Sequence, residues 1–195
     1  MLLRICTTVL LCLIASQLAE AQRSGESDQI GISVAYSPTS FKAWDTIQNT
    51  RQFYINAEFN HSSISLGRTE MQVGSGVILT GWIRFPSNGI SGPKESRNGF
   101  GLAPLIIKVP FSQQRHTPFF TTSAGMIMTN IHFPNHLGSR FNYLLDAGLG
   151  YHIQASNNYA LQVGYKIHHL SNGNQSLENP GIDSHMFFAR FLFDI

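Results

Sequence analysis

Near the end of the chain, His169, Ser171 and Asp183 place an imidazole, a hydroxyl and a carboxylate within the stretch "KIHHLSNGNQSLENPGID", residues 166–183. A serine hydroxyl attacks an ester poorly until a histidine takes its proton, and a carboxylate holds that histidine in the useful tautomer. Asn172 follows the serine directly and Asn179 lies in the loop before the acid. Either amide could donate to the oxyanion that grows on an attacked carbonyl. The same stretch also reads as an ordinary hairpin loop, rich in Asn, Gly and Pro. The two readings differ in where each side chain points, which depends on the elements that carry them.

Those elements alternate with a period of two. In "RFNYLLDAGLGYHI" the odd positions from Phe141 to Ile153 are apolar or aromatic, while Asn142, Asp146, Gly148, Gly150 and His152 share the other parity. "FYINAEFN" (residues 53–60) and "YALQVGYKIHHLS" (residues 159–171) behave alike. Alternation over this length means strand. Eight such segments fall at 29–36, 51–60, 71–85, 98–110, 117–130, 140–153, 158–170 and 183–195. The connections 37–50, 86–97, 131–139 and 171–182 are long and rich in Ser, Asn, Gly and Pro; those at 61–70, 111–116 and 154–157 are mostly shorter. An even strand count with long and short connections at opposite ends predicts an all-β fold, an eight-stranded antiparallel up-and-down transmembrane β-barrel. Asp146, Lys166 and Arg190 lie on successive segments at even positions, which predicts an ion-paired network inside the barrel. In a soluble protein those charges would face out and the apolar residues in.

Parity then places the candidate residues. His169 and Ser171 continue the apolar odd face of the seventh segment, and Asp183 and His185 continue that of the eighth. Residues two apart on a strand share a face about 7 Å apart, and antiparallel neighbours lie about 5 Å apart, so the three groups can meet. They meet on the lipid-facing rim, an address that suits a hydrolase only if its substrate is a lipid. His168 has the opposite parity and reads as an interior hydrogen-bonding histidine. His169, Asp183 and His185 also make a two-histidine, one-carboxylate set of the kind that binds metal. A barrel with no catalysis, serving as adhesin, binding protein or spacer, is the third reading.

Bulk properties narrow the classes. Arg4, the apolar "TVLLCLIA" and small residues at Ala19 and Ala21 read as a secretory signal over residues 1–21, leaving residues 22–195 as one domain. Both cysteines, Cys6 and Cys12, fall in that signal, so the mature chain has no thiol for a disulfide or a metal. The net charge of +2, without clustered Lys and Arg, carries no nucleic-acid footprint. Gly74-Ser-Gly76 and Gly148-Leu-Gly150 lack the third glycine and the helix that a dinucleotide site requires.

His169-Leu170-Ser171-Asn172, a loop with Asn and Gly, and an acid opening the last strand together resemble the C-terminal signature of the outer-membrane lipid A 3-O-deacylases. The close similarity covers residues 165–185; elsewhere the chain is similar in barrel pattern and length. The resemblance implies an enzyme of the bacterial outer membrane, with its site toward the outer leaflet, that removes the 3-linked hydroxyacyl chain from the lipid A of lipopolysaccharide. It implies no metal or other cofactor, with Ser171 as nucleophile, His169 as base and Asn172 and Asn179 at the oxyanion. Its partners would be lipopolysaccharide and outer-membrane lipids, with no nucleic acid; a homodimer is compatible with this pattern. One departure matters: the family's best-known acid is glutamate. Asp183 is a methylene shorter, so the hairpin must carry it closer to His169.

Overall fold

A computed structural model of the protein describes residues 29–43, 46–66 and 69–194. The secretory signal expected over residues 1–21 lies outside the described residues. The chain forms β1 (Gln29–Ser37), β2 (Ser40–Phe41), β3 (Arg51–Leu66), β4 (Thr69–Pro86), β5 (Lys94–Pro110), β6 (His116–Phe133), β7 (Ser139–Gln154), β8 (Tyr159–Ser171) and β9 (Ile182–Asp194). Eight long strands pair antiparallel in chain order, and β1 pairs with β9 from Gln29↔Asp194 to Tyr36↔Phe187. The sheet is thereby a closed eight-stranded barrel with no free edge. The two-residue β2 is an addition: it lies along β9 beyond the end of β1, pairing Ser40↔Ser184 and Phe41↔Asp183.

Burial settles which face is which. On β7, Leu145, Leu149 and Tyr151 are each about half exposed, whereas the side chains of Asp146 and Lys166 keep 11% and 17% of their surface. Apolar residues face out and charges face in, as a barrel in lipid requires and the reverse of a soluble one. Inside, Lys166 Nζ and His168 Nδ1 lie 2.7 and 2.6 Å from the two oxygens of Asp146. Arg190 does not join them, contrary to the single network expected. It pairs instead with Glu58, 2.7 Å away, and donates to Gln162, while Ser33 donates to Glu58 from the other side. Two ion-paired groups therefore occupy the interior, because β3 carries an acid, Glu58, that alternation on the last three strands did not register.

The interior is not polar throughout. Toward the end carrying the longer loops it fills with Ile83, Phe85, Phe133, Leu144, Leu170, Ile182 and Met186, all buried in one cluster. The even-numbered face of β9 is therefore apolar over much of its length. Register shifts on both sides of β4, between Ile55 and Asn56 on β3 and between Ile78 and Gly81 on β4, invert its parity. Val77 and Leu79 face out, but beyond the bulge Ile83 and Phe85 face in while Arg84 faces out. An extra residue on one strand does this wherever it is inserted.

Strand boundaries also differ from the expectation. Residues 61–66 continue β3 and residues 69–70 open β4, so most of the connection expected at 61–70 is sheet. The outer connection at 131–139 shrinks to 134–138, no longer than the turn 111–115 at the other end.

The Glu58–Arg190 pair yields a stability prediction. Glu58→Ala leaves the buried guanidinium without its counter-charge and should cost about 3–5 kcal/mol. Loss of heat-modifiable gel migration against urea measures it, and Glu58→Ala/Arg190→Met should recover most of the loss. Equal midpoints for Glu58→Ala and the parent would show that the pair contributes little.

Candidate functional site

The last two strands bring the candidate residues together by register alone. His169 and Asp183 are direct cross-strand partners, and Ser171 is two residues beyond His169 on the same face. His169 Nδ1 lies 2.7 Å from Asp183 Oδ1 and His169 Nε2 lies 3.0 Å from Ser171 Oγ. An ionised carboxylate only accepts, so the proton sits on Nδ1 and leaves Nε2 to accept from the serine hydroxyl. The shorter acid reaches because it is the direct partner of His169 rather than a diagonal one. His169 keeps about a third of its side-chain surface, at 34%, while Asp183 keeps 4%. The base is open and the acid is covered.

The cover comes from the far side of the barrel seam. Residues 38–43 leave β1 and lay β2 along β9 opposite Asp183, and in residues 46–50 Ile47 N donates to Gly181 O. Ser40 ties the segment together, donating to Ile47 O and accepting from Thr50 N. Phe41 sets its ring 4.5 Å from that of His185. Gly181 sits where these pieces converge, at φ +67°, and a Cβ there would lie 3.3 Å from Leu170 O and 3.4 Å from His169 Cε1. The left-handed backbone and the approach to the imidazole both favour glycine. None of these residues carries a chemical signal in the sequence. The hint was an apolar pair, Phe41 and Ile47, in a connection otherwise expected to be polar.

The two asparagines hold the loop in shape. Asn172 is 1% exposed. Its amide donates both hydrogens inside the loop, to Ser176 Oγ and Glu178 O, and its Oδ1 accepts from Gln175 N. Its backbone N donates to Asn179 Oδ1, and Asn179 Nδ2 donates to Asn174 Oδ1. The side-chain amide of Asn172 therefore has no hydrogen left for an oxyanion. Gly173 and Asn174 both have positive φ, 63° and 59°, and Gln175 N returns to Asn172 O, the pattern of a type I′ turn. Glu178 anchors the loop to its neighbour, with N donating to Leu137 O and a carboxylate oxygen accepting from Asn135.

His168 points inward, 2% exposed, with Nδ1 on Asp146 and Nε2 3.3 Å from Tyr54 OH. Tyr54 donates to Gln52, which donates to Ser184. The interior groups are thus linked to the residue after Asp183. His185 bonds Tyr165 OH and stacks on that ring, so it is not turned toward His169 as a fellow ligand. Among the described residues no group of three or more His, Asp or Glu side chains is arranged to hold a metal ion.

Comparison with known proteins follows the same lines. A family model described as lipid A 3-O-deacylase (PagL) matches residues 30–191. The solved crystal structure of the outer membrane enzyme PagL superposes with a TM-score of 0.62 at 16% identity, covering 82% of this chain and 97% of that one. At that identity it establishes the shared fold. No curated protein matches the chain by sequence at a significant level.

The hydrogen bonds of Asn172 make the loop testable. Asn172→Ala removes three side-chain bonds, each contributing about 1 kcal/mol. Limited proteolysis should then cut the variant within 173–178 at least several-fold faster while the barrel fragment stays intact. Unchanged cleavage would mean that the loop is held by other contacts.

Proposed function

We propose, from the premise that the chain belongs to the lipid A 3-O-deacylase family, that it hydrolyses the 3-linked hydroxyacyl ester of lipid A with Ser171 as nucleophile, His169 as general base and Asp183 as the acid that orients it. The observation carrying this is the continuous chain of hydrogen bonds from Ser171 through His169 to Asp183 on the outward face. The barrel lies in the bacterial outer membrane, consistent with its apolar belt and with the outer membrane enzyme whose structure it resembles. Its longer loops and the three residues stand at the outer leaflet.

Each step then has an assigned group. Ser171 Oγ attacks the ester carbonyl as its proton moves to His169 Nε2. The tetrahedral intermediate collapses, and His169 returns the proton to the departing sugar oxygen, leaving an acyl-serine. Water enters, His169 takes its proton, and the fatty acid leaves as Ser171 is reprotonated. Asp183 stabilises the imidazolium in both halves without becoming protonated. The oxyanion falls to the backbone N–H groups of Gly173 and Asn174, presented by the turn that follows the nucleophile. Asn172 and Asn179 serve the oxyanion by holding that turn. The apolar cluster behind Leu170 and Ile182 closes the barrel beneath the site, so substrate comes only from the membrane side.

Mass spectrometry of lipid A from cells expressing the chain tests the reading. The parent should remove one 3-hydroxyacyl chain. Ser171→Ala and His169→Asn should lower turnover by at least about 10³-fold, and Asp183→Asn by a comparable factor. An active Ser171→Ala would mean another nucleophile. Hydrolysis in detergent micelles should continue in excess chelator; loss restored by a divalent ion would instead favour the metal set of His169, Asp183 and His185.

A further inference from the structure

We propose that Arg51, Arg84 and Lys94 form a binding site for a phosphate group of the glycolipid headgroup, on the same outer rim as the triad. This rests on the lipid A reading above and adds how the substrate is held. Arg51 and Arg84 are direct cross-strand partners on β3 and β4, and both are exposed. Like charges placed opposite each other repel, and an anion between them would relieve that repulsion. Among the described residues no ion pair involves either one, and the neighbouring carboxylate, Glu95, is 2.8 Å from Arg97 instead. Lys94 opens β5, and its Nζ donates to Asn49 O at 2.8 Å, which holds the ammonium in place with two hydrogens to spare. The three cations, with Pro38, Thr39 and Asn49, wall an open pocket of about 380 Å³.

The pocket is built rather than incidental. Asn49, at φ 55°, donates to Ile90 O, and Gln48 N donates to Gly89 O. These bonds join residues 48 and 49 to the loop 87–93, fixing two sides of the pocket before anything binds. Its height also suits a headgroup. Two register pairs nearer the middle of the strands, Phe53 faces Trp82, an aromatic step of the kind found at a membrane interface, and the arginines lie just beyond it. Arginine forks match phosphate oxygens two at a time.

Position ties the pocket to the triad. Pro38 and Thr39 wall it, and the next two residues, Ser40 and Phe41, pair with β9 at Ser184 and Asp183. Only β1 separates β3 from β9, so the arginines and Asp183 are about two strand spacings apart sideways, roughly 10 Å. Ser171 lies one strand further on, on β8, about three strand spacings or roughly 15 Å from the arginines sideways, a span for a phosphorylated disaccharide with one phosphate in the pocket and an ester at Ser171.

The test uses the full chain carrying Ser171→Ala in detergent micelles, titrated by calorimetry with phosphorylated or dephosphorylated lipid A. The phosphorylated form should bind about tenfold tighter or more, the effect of one or two charge-assisted hydrogen bonds. Arg51→Gln/Arg84→Gln should erase that preference, and Arg51→Lys/Arg84→Lys should keep part of it, with heat-modifiable migration confirming that each variant is folded. Equal binding of the two lipids, or a preference that survives the double glutamine variant, overturns the proposal. If inorganic phosphate binds the parent but not the double variant while the two lipids bind alike, the site takes a free anion and the headgroup assignment falls. Because no turnover is read, failure of the triad assignment would leave this measurement standing.

Discussion

Lipid offers a backbone N–H no partner, so a chain that crosses it in strands must close its sheet. Here closure is made by β1 on β9, and the rest of the molecule depends on it. Once the sheet is closed, each strand has one face in lipid and one in the interior. Every side chain is then assigned by parity, including the polar ones near the loop end of β8 and β9. The imidazole, hydroxyl and carboxylate do not gather in a cleft. They meet because residues 169 and 171 share a face and residue 183 is the register partner of the first.

The interior explains how so small a barrel can carry polar groups on its outside. Glu58 with Arg190, and Asp146 with Lys166 and His168, are paired within the wall, as buried charges require, while buried Lys108 donates to Asn60 Oδ1. Above them the apolar cluster from Ile83 to Met186 fills the loop end. The proposed site therefore rests on a solid backing, with its acid and base on adjacent strands rather than on a loop. Rigid elements hold such groups more closely than loops do.

The segment between β1 and β3 has two roles. Through β2 it covers Asp183, excluding water from the acid while His169 stays open. Through Pro38, Thr39 and Asn49 it walls the cationic pocket. One connection thus borders both the reacting groups and the charges that would hold a headgroup beside them.

Much of this was written in the chain. Alternation in residues 141–153 and 159–171 marked the strands, their count and the outward parity of His169 and Ser171, because a period of two repeats faithfully along any strand. It also separated His168 from His169. It failed on β4, where bulges invert the faces without altering composition, and on β6, where Phe119 and Ile127 point inward while Thr122 does not. It also missed the partner of Arg190, since which charges meet inside a barrel depends on strands distant in sequence. The asparagines were legible as residue types but not as loop ties, because an amide shows its partners only once the loop has closed. The sequence by itself determined the barrel, its inside and outside, and the face that holds the three polar groups, all consequences of local periodicity. Only the tertiary structure decided the cover on Asp183, the commitment of Asn172 and the clustering of Arg51, Arg84 and Lys94. Those rest on contacts between residues far apart in the chain, which periodicity does not record.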